Sequence, residues 1–362
     1  MLLQEKIKNK ISATNDKLIS FSAFMHMCLY DLDHGYYSSK KNQFGSQGDF
    51  FTAPLLGKIF SRSLTKQILD CFLELDKNII EIGAGNGQLA KDLIVELTEQ
   101  NLDLKNYYIQ EKSLILREQQ QIFLKNNLSK DQFDKVQWIN DFPDNYNGVI
   151  IANELFDAIP TNVFETSSHK IYERCVAFEE NKFLWRTRPC VSKFDYQLTL
   201  PSTNIIFEYS DLYKELMESF SKTQKSIFFI IDYGMEEHQL FHPQRLNGTF
   251  RGFVNNRLTS DVLANVGNQD ITYHVNFTHL AFLSKQYDMN ILGYTSQSHF
   301  FNNLGIDFID YQSTQDHYQQ LSEINVLTSP SEMGELVKVM AIANNNQIEL
   351  KGFGDFDRTH LL

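Results

Sequence analysis

The 362-residue chain has little cysteine, and its cysteines form no pattern typical of a disulfide scaffold or a zinc site. Cys28, Cys71, Cys175 and Cys190 are scattered, and no two of them form a CxxC pair. This use of cysteine is compatible with a reducing compartment and requires neither disulfides nor zinc. We therefore expect the four thiols to be buried or incidental.

Long apolar runs are also missing from the sequence. None approaches the roughly 20 residues that a helix needs to span a bilayer, and the apolar stretch SIFFII at 226–231 is predicted to be a core strand instead. The first residues, MLLQEKIKNKI, lack the apolar core of a signal peptide and carry Gln and Glu where a transit peptide would be rich in Arg and Ser. We therefore expect a cytoplasmic protein without a membrane span.

The chain has no excess of positive charge and no run rich in lysine or arginine. Its formal net charge is −12, which repels the phosphate backbones of nucleic acids. A basic peptide or protein would instead be attracted. We expect a protein partner and no nucleic acid, and the oligomeric state stays open, a homodimer included.

From residue 78 the sequence alternates between segments typical of strands and segments typical of helices. This alternation predicts an α/β fold in which a parallel sheet has helices on both faces. Strands are predicted at 79–82, 106–110, 136–139, 148–152 and 227–232, and helices at 88–99 and 114–125.

The segments before and after this core predict three units: a cap over 1–75, a core over 76–235 with an insert at 161–210, and a C-terminal part over 236–362 that completes the sheet. The cap contains two short helices within 2–30, broken near Thr14 to Asp16, then an aromatic loop over 34–54 and a helix over 55–73. The insert resembles a β-hairpin. The C-terminal part is predicted to contain a loop over 244–256, a helix over 277–286 and strands at 290–295 and 337–343, the last of which could close the sheet as an antiparallel hairpin.

The stretch EIGAGNGQLA follows the first core strand and predicts a pocket for a nucleotide-type ligand. Gly83, Gly85 and Gly87 allow close approach of the backbone, and Glu81 lies two residues before the first glycine. A dinucleotide fingerprint has its third glycine one position later, where this chain has Gln88. A carboxylate at this turn suits a ligand with a positive charge, such as S-adenosylmethionine.

Further candidates for cofactor binding lie in three other loops. Glu111 ends the second core strand, where a carboxylate can accept both ribose hydroxyls. Asp141 follows the third strand and could meet an adenine edge, although a plain turn residue is the alternative. Gly48 and Asp49 lie in the aromatic loop, which could fold over the cofactor, and Asp49 could equally be a turn acid.

Polar side chains follow the apolar strand IIANELFDAIP and are candidates for catalysis. Asn153, Glu154 and Asp157 come at the carboxyl end of this strand, the edge at which open parallel sheets bind ligands. Alternatively, Asn153 caps the short helix that follows and Asp157 lies on its solvent side.

These motifs carry a resemblance to a known family. EIGAGNG resembles motif I of class I S-adenosylmethionine-dependent methyltransferases, and GYYSS, GDFFTAP, NELFDAIP, IIDYG and DITYHVNF are similar to the MidA/NDUFAF7-like (DUF185) family. The similar stretches cover nearly the whole chain in order. The chain departs from the family at Phe51, Ala53 and Leu55, where members usually have Ile, Ser and Glu.

The resemblance implies a class I methyltransferase with a Rossmann-like, mostly parallel seven-stranded sheet, an N-terminal helical cap and a β insert. It implies S-adenosylmethionine as cofactor, and Asn153, by its position at the strand end, is a candidate cofactor contact. Family members are implicated in assembly of respiratory complex I, and the mitochondrial member is a protein arginine methyltransferase. By this resemblance Glu154 and Asp157 would hold the guanidinium of a protein arginine.

Two other functions stay open from the sequence. One is a non-catalytic assembly factor on the same fold. The other is a nicotinamide oxidoreductase, which is disfavoured because Gln88 stands where the dinucleotide fingerprint has its third glycine. The HQLFH stretch places His238 and His242 at helical spacing, but it lacks the Glu of HExxH and precedes Pro243. We therefore expect no metal site.

Overall fold

The computed structural model describes residues 2–38, 52–254, 257–306 and 313–362. Their α-helices, labelled in chain order, are α1 (Leu3–Ala13), α2 (Phe21–Tyr30), α3 (Ala53–Leu56), α4 (Ile59–Cys71), α5 (Gln88–Glu99), α6 (Leu114–Asn127), α7 (Lys130–Phe133), α8 (Tyr213–Ser221), α9 (Glu237–Leu240), α10 (Phe277–Gln286), α11 (Gln297–Asn303), α12 (Thr314–Thr328) and α13 (Met333–Leu336). Short 3-10 helices lie at Tyr36–Ser38, Phe156–Ala158, Lys351–Phe353 and Thr359–Leu361.

The strands are labelled in the same way. They are β1 (Ile19–Ser20), β2 (Asn78–Ile82), β3 (Asn106–Gln110), β4 (Val136–Ile139), β5 (Asn147–Asn153), β6 (Asn162–Ser167), β7 (Lys170–Glu179), β8 (Lys182–Pro189), β9 (Ile206–Tyr209), β10 (Lys225–Met235), β11 (Arg251–Val254), β12 (Arg257–Thr259), β13 (Asp270–Thr272), β14 (Val275–Asn276), β15 (Asn290–Ser296) and β16 (Val337–Asn344).

The largest sheet has the strand order β15-β16-β10-β5-β2-β3-β4, and the short β14 pairs with the end of β10. The five strands from β4 to β10 in this order are parallel, whereas β16 is antiparallel to both β10 and β15. The predicted α/β fold with a mostly parallel sheet is confirmed, and the antiparallel closure by 290–295 and 337–343 is confirmed with it.

Both faces of this sheet are buried because successive side chains along its central strands enter two different cores. Ile79 of β2 and Val149 of β5 point into a core shared with α4 and α5. Ile80 of β2 and Ile150 of β5 point into a second core shared with α2, α8 and α10. The carboxyl ends of β2, β3, β5 and β10 therefore meet at one edge, above two packed layers.

The β insert is larger than the predicted hairpin. Strands β7 and β8 do pair as an antiparallel hairpin, but β6 and β9 extend the sheet, and β1 of the N-terminal segment pairs with β7. The segment predicted as a loop over 244–256 contains β11, which pairs with β12 and β13. The pairings of β1 with β7, of β9 with β6 and of β13 with β11 join segments that lie apart along the chain, so no local pattern indicates them.

The helix predicted over 55–73 is divided into α3 and α4 at Gly57. The carboxylate of Glu323, on α12, accepts hydrogen bonds from the backbone N–H groups of Ile59 (2.6 Å) and Phe60 (3.3 Å). A Cβ atom on Gly57 would lie 2.0 Å from Glu323 Oε2. A distant carboxylate thus starts a new helix, which no local pattern indicates.

Two further features bear on the predictions made from composition. No helix among the described residues is long and apolar enough to cross a membrane. The four cysteines are free thiols, of which Cys28, Cys71 and Cys175 are buried and Cys190 is half-buried.

Candidate active site

The glycine turn after β2 forms the floor of a pocket at the carboxyl edge of the sheet. Gly83, Gly85 and Gly87 all have a positive φ, at 70°, 53° and 87°, which glycine adopts without steric cost. A Cβ atom on Gly83 would lie 2.8 Å from Leu155 Cδ1. Gly87 is the N-cap residue of α5, so the turn directs the first N–H groups of that helix toward this edge.

The pocket unites most of the predicted site residues. Its lining consists of residues from the glycine turn, the ends of β3 and β5, and the N-terminal segment: Tyr30, Tyr37, Thr52, Pro54, Glu81, Gly83, Ala84, Gly85, Asn86, Gln88, Leu89, Glu111, Leu116, Asn153, Glu154, Leu155 and Ala158.

Glu81 is a buried carboxylate at the end of β2. Its Oε2 accepts a hydrogen bond of 2.7 Å from the Tyr107 hydroxyl. Burial, with a smaller contribution from the nearby Glu111, raises the pKa of Glu81 to about 7 against the lowering effect of the Tyr107 hydrogen bond. A positive charge in the pocket would stabilise the ionised form of Glu81.

Glu111 is tied to the glycine turn by a side chain from α6. Its Oε1 accepts from the Ser113 N–H (2.9 Å) and its Oε2 from Gln120 Nε2 (3.2 Å), while Gln120 Nε2 also donates to the Gly85 carbonyl (2.9 Å). Burial raises the pKa of Glu111. Gln120 was not predicted as a site residue, because no motif distinguishes it within its helix.

Glu154 adopts a left-handed backbone conformation directly after β5. Its φ is +48°, its N–H donates to the Ile231 carbonyl at 2.8 Å, and its Oε1 accepts from the Ala53 N–H at 3.2 Å and from Asn153 Nδ2 at 3.5 Å. Burial raises the pKa of Glu154 to about 7. A non-glycine residue with positive φ in a pocket stores strain of the kind found at functional sites.

Asn153 does not cap the following helix, as one reading of the sequence allowed. The 3-10 helix at Phe156–Ala158 has Leu155 as its N-cap and no side-chain cap. Asn153 Oδ1 is instead buried without a hydrogen-bond partner among the described residues. An unpaired buried acceptor in a pocket suits a ligand that brings an N–H or O–H group.

Asp157 lies behind the pocket lining in the 3-10 helix and is buried, not solvent-facing. Burial and the negative charges of Asp232 and Glu154 hold its pKa well above the usual range. Asp232, at the end of β10, accepts through Oδ2 from the N–H groups of Leu155 (3.0 Å) and Phe156 (2.7 Å). Burial raises the pKa of Asp232 to about 8. We call Glu154, Asp157 and Asp232 the acidic turn.

The N-terminal segment supplies two aromatic side chains that the site prediction did not include. Tyr30 and Tyr37 have stacked rings with centroids 5.5 Å apart, and the Tyr30 hydroxyl donates to the Ala158 carbonyl at 3.0 Å. Tyr37 belongs to the GYYSS stretch, whereas Tyr30 lies in α2 without a distinguishing motif. Both residues belong to the pocket lining.

The remaining predicted residues have other positions. Asp141 is exposed after β4 and does not belong to the pocket lining, so its contact with an adenine stays a prediction. Gly48 and Asp49 lie outside the described residues. His238 lies within the four-residue helix α9 and His242 follows shortly after it, and no group of three potential ligands within the described ranges has the arrangement of a metal site.

The residues of the pocket fit S-adenosylmethionine. The glycine turn offers backbone at close range, Glu111 lies at the strand end suited to ribose hydroxyls, and Asn153 Oδ1 is an acceptor without a partner among the described residues. Glu81 and Glu154 provide buried negative charge for a cationic ligand.

Comparisons with known proteins agree with this geometry. A family model described as "Putative S-adenosyl-L-methionine-dependent methyltransferase" matches residues 63–295. The chain is 27% identical to the bovine (Bos taurus) mitochondrial protein arginine methyltransferase NDUFAF7, over 94% of this chain and 82% of the relative. The identity to the human protein of that name is 24%, over 94% and 83%.

A solved structure is similar over almost the whole chain. The COG1565 superfamily member from Burkholderia thailandensis, bound to S-adenosyl-homocysteine, superposes with a TM-score of 0.93 at 28% identity, covering 99% of this chain and 96% of that one. The resemblance stated from the motifs is thereby confirmed. The chain belongs to this family of S-adenosylmethionine-dependent methyltransferases.

Proposed function

We propose that this methyltransferase modifies an arginine side chain of a protein. The observation that carries the proposal is the acidic turn, which places a buried carboxylate, Glu154, in the wall of the cofactor pocket. Among the described residues only the Ala53 N–H and the Asn153 amide donate to Glu154, and no basic side chain neutralises it. A buried carboxylate without a cation is costly, so the pocket favours a cationic acceptor.

A guanidinium matches this site better than an ammonium group does. It presents five N–H donors in a planar fork, and a carboxylate can accept two of them in parallel. Glu154 would hold the guanidinium, and Asn153 Oδ1 would accept a further N–H. Burial raises the pKa values of Asp157 and Asp232 behind the lining, and an entering guanidinium would favour the ionised forms of both. The mitochondrial relatives carry the words protein arginine methyltransferase in their names.

The cofactor supplies an activated methyl group on a sulfonium sulfur. The chain's own task is to hold the acceptor in line, exclude water and take up a proton. Because the pKa of Glu154 is about 7 before a cation enters, its ionised fraction rises through neutral pH, and an adjacent guanidinium would favour ionisation further. Glu154 is therefore the proposed proton acceptor, and Asp157 is a nearby carboxyl group whose ionised form the guanidinium would favour.

A protein is proposed as acceptor because the chain's net charge of −12 attracts basic segments and the pocket opens at the sheet edge. The complex I subunit implied by the motif resemblance, and the cytoplasmic location, remain predictions.

The proposal is tested with a pair of peptides that differ only in arginine or lysine as the acceptor. We expect methylation of the arginine peptide, located by mass spectrometry, and loss of at least about 100-fold in rate for Glu154→Gln. Glu118→Gln, an exposed glutamate of α6, is the matched control. Binding of S-adenosyl-homocysteine without transfer to arginine peptides or proteins would instead favour the non-catalytic assembly factor.

A further inference from the structure

A second cleft lies beside the end of β10 and differs in charge from the rest of the chain. Its lining runs from α9 to β11 and consists of His238, Gln239, His242, Gln244, Arg245, Leu246, Asn247, Gly248 and Arg251. Two arginines and two histidines occur in this lining without a carboxylate, although the chain as a whole has a net charge of −12. We call this the basic cleft.

The two arginines retain N–H groups for a ligand. Arg245 donates through Nε to the Gln239 carbonyl (3.3 Å) and through Nη2 to Met235 Sδ (3.5 Å), and Arg251 donates through Nη1 to the Phe250 carbonyl (2.8 Å). Within the part of the chain that the structure describes, neither forms an ion pair with a carboxylate. Since a guanidinium has five donors, each keeps several that can bind an anion.

The loop that carries the basic cleft is held in one conformation by a buried carboxylate. Glu208 accepts from the N–H groups of Thr249 (2.7 Å) and Phe250 (3.0 Å) and from the Thr249 hydroxyl (3.1 Å). Gly248 has a φ of +68°, and a Cβ atom there would lie 2.4 Å from Glu208 Oε1. The backbone between the two arginines is therefore preorganised, which lowers the entropic cost of binding.

One segment joins the basic cleft to the acidic turn. The His274 N–H donates to Thr249 Oγ1 (2.9 Å), and the N–H of the preceding residue, Tyr273, donates to the Asp157 carbonyl (3.2 Å). His274 Nδ1 is buried without a hydrogen-bond partner among the described residues. Burial, followed by the positive charges of Arg245, Arg251 and Lys338, lowers the pKa of His274 to about 4.

We propose that the basic cleft binds an acidic segment of the protein whose arginine enters the pocket at the acidic turn. This inference rests on the proposed function. The site for a positive side chain and the site for negative side chains are then linked through the backbone hydrogen bonds of residues 273 and 274. The exposed Leu246 in the lining favours a peptide over a small hydrated anion, because it offers apolar contact that only a peptide can use.

The test compares two fluorescein-labelled peptides, each with one arginine, flanked either by glutamates or by glutamines. Binding is followed by fluorescence anisotropy at low ionic strength, with the full chain saturated with S-adenosyl-homocysteine. We expect the glutamate peptide to bind more tightly, and Arg245→Gln/Arg251→Gln to weaken it by about tenfold without changing the glutamine peptide. Lys125→Gln/Lys130→Gln, which removes two exposed charges elsewhere, should leave the preference unchanged.

Three results would overturn the inference. They are equal affinity of the wild type for both peptides, an equal loss in the lysine control, and displacement of the peptide by inorganic phosphate at concentrations near the peptide's own dissociation constant. Arg245→Lys/Arg251→Lys keeps both positive charges and should retain most of the preference for the glutamate peptide. This variant distinguishes loss of charge from a folding defect in Arg245→Gln/Arg251→Gln. Since the assay measures binding alone, binding of the glutamate peptide without arginine methylation would contradict the proposed function and leave the basic cleft in place.

Discussion

At the scale of single residues, the site depends on one strained glutamate and the groups that hold it. The sequence places Glu154 at the end of an apolar strand, which is enough to predict that it faces a ligand. Its positive φ and its bond to the Ala53 N–H could not be predicted, because they depend on contacts with residues far along the chain. The same holds for Asp232, whose strand was predicted but whose hydrogen bonds from the N–H groups of Leu155 and Phe156 were not.

Asp232 is predicted to act as a positioning residue. Its Oδ2 accepts from Leu155 and Phe156, so it fixes the backbone that follows Glu154. In Asp232→Asn one carboxylate oxygen becomes an amide donor, and a misplacement of Glu154 should lower kcat by up to about 100-fold. The affinity for S-adenosyl-homocysteine, measured by calorimetry, should not change. Asp144→Asn, at an exposed aspartate, is the control, and equal effects on kcat and cofactor affinity would contradict a positioning role.

Gly83→Ala is predicted to weaken cofactor binding. The new Cβ atom would lie 2.8 Å from Leu155 Cδ1, and the φ of +70° is strained for alanine by roughly 1–2 kcal/mol. Calorimetric titration with S-adenosyl-homocysteine should show a dissociation constant raised by about tenfold or more. An unchanged dissociation constant would show that the turn can shift without affecting the pocket.

At the scale of elements, the local sequence pattern was sufficient to predict the bounds of an element wherever residues within or next to that element determine its ends. Strands β3 and β4 and helix α5 have the predicted bounds, because alternation, apolar spacing and the glycine turn determine them. The start of α4 is set instead by Glu323 from α12, and β1 pairs with a strand of the insert. Neither partner is visible in the local sequence.

Glu323→Ala is predicted to destabilise the protein by about 1–2 kcal/mol, because the N–H groups of Ile59 and Phe60 lose their acceptor. Urea unfolding should show a lower midpoint with an unchanged slope. Gln319→Ala, an exposed change on the same helix, should have little effect. If both variants unfold at the same urea concentration, the carboxylate is not the cap that the structure indicates.

At the scale of the whole molecule, a sheet buried on both faces supports an edge where several buried carboxylates meet. Burial raises the pKa values of Glu81 and Glu154 to about 7 in the folded protein, above the value of about 4.3 for an unfolded chain. Between these pH values the folded state keeps protons that the unfolded state has released. The free energy of unfolding should therefore fall as pH rises toward 7.

Thermal unfolding without cofactor should show this dependence. The melting temperature of the wild type is predicted to fall between pH 5 and pH 8. Over this range each fully buried carboxylate should lower the free energy of unfolding by an amount on the order of 2–3 kcal/mol. In Glu81→Gln/Glu154→Gln the fall should be shallower, because the neutral amides do not titrate. Glu118→Gln should reproduce the wild-type slope, and a double variant that also does so would contradict the raised pKa values.

The central claim is that the acidic turn holds a guanidinium beside the cofactor. The most direct measurement is a crystal structure of the full chain with S-adenosyl-homocysteine and an arginine peptide. The account predicts guanidinium nitrogens within about 2.7–3.2 Å of the Glu154 carboxylate, with Asn153 Oδ1 accepting from the peptide or the cofactor. A guanidinium bound away from Glu154, or a pocket that takes up the cofactor and excludes the arginine, would contradict it.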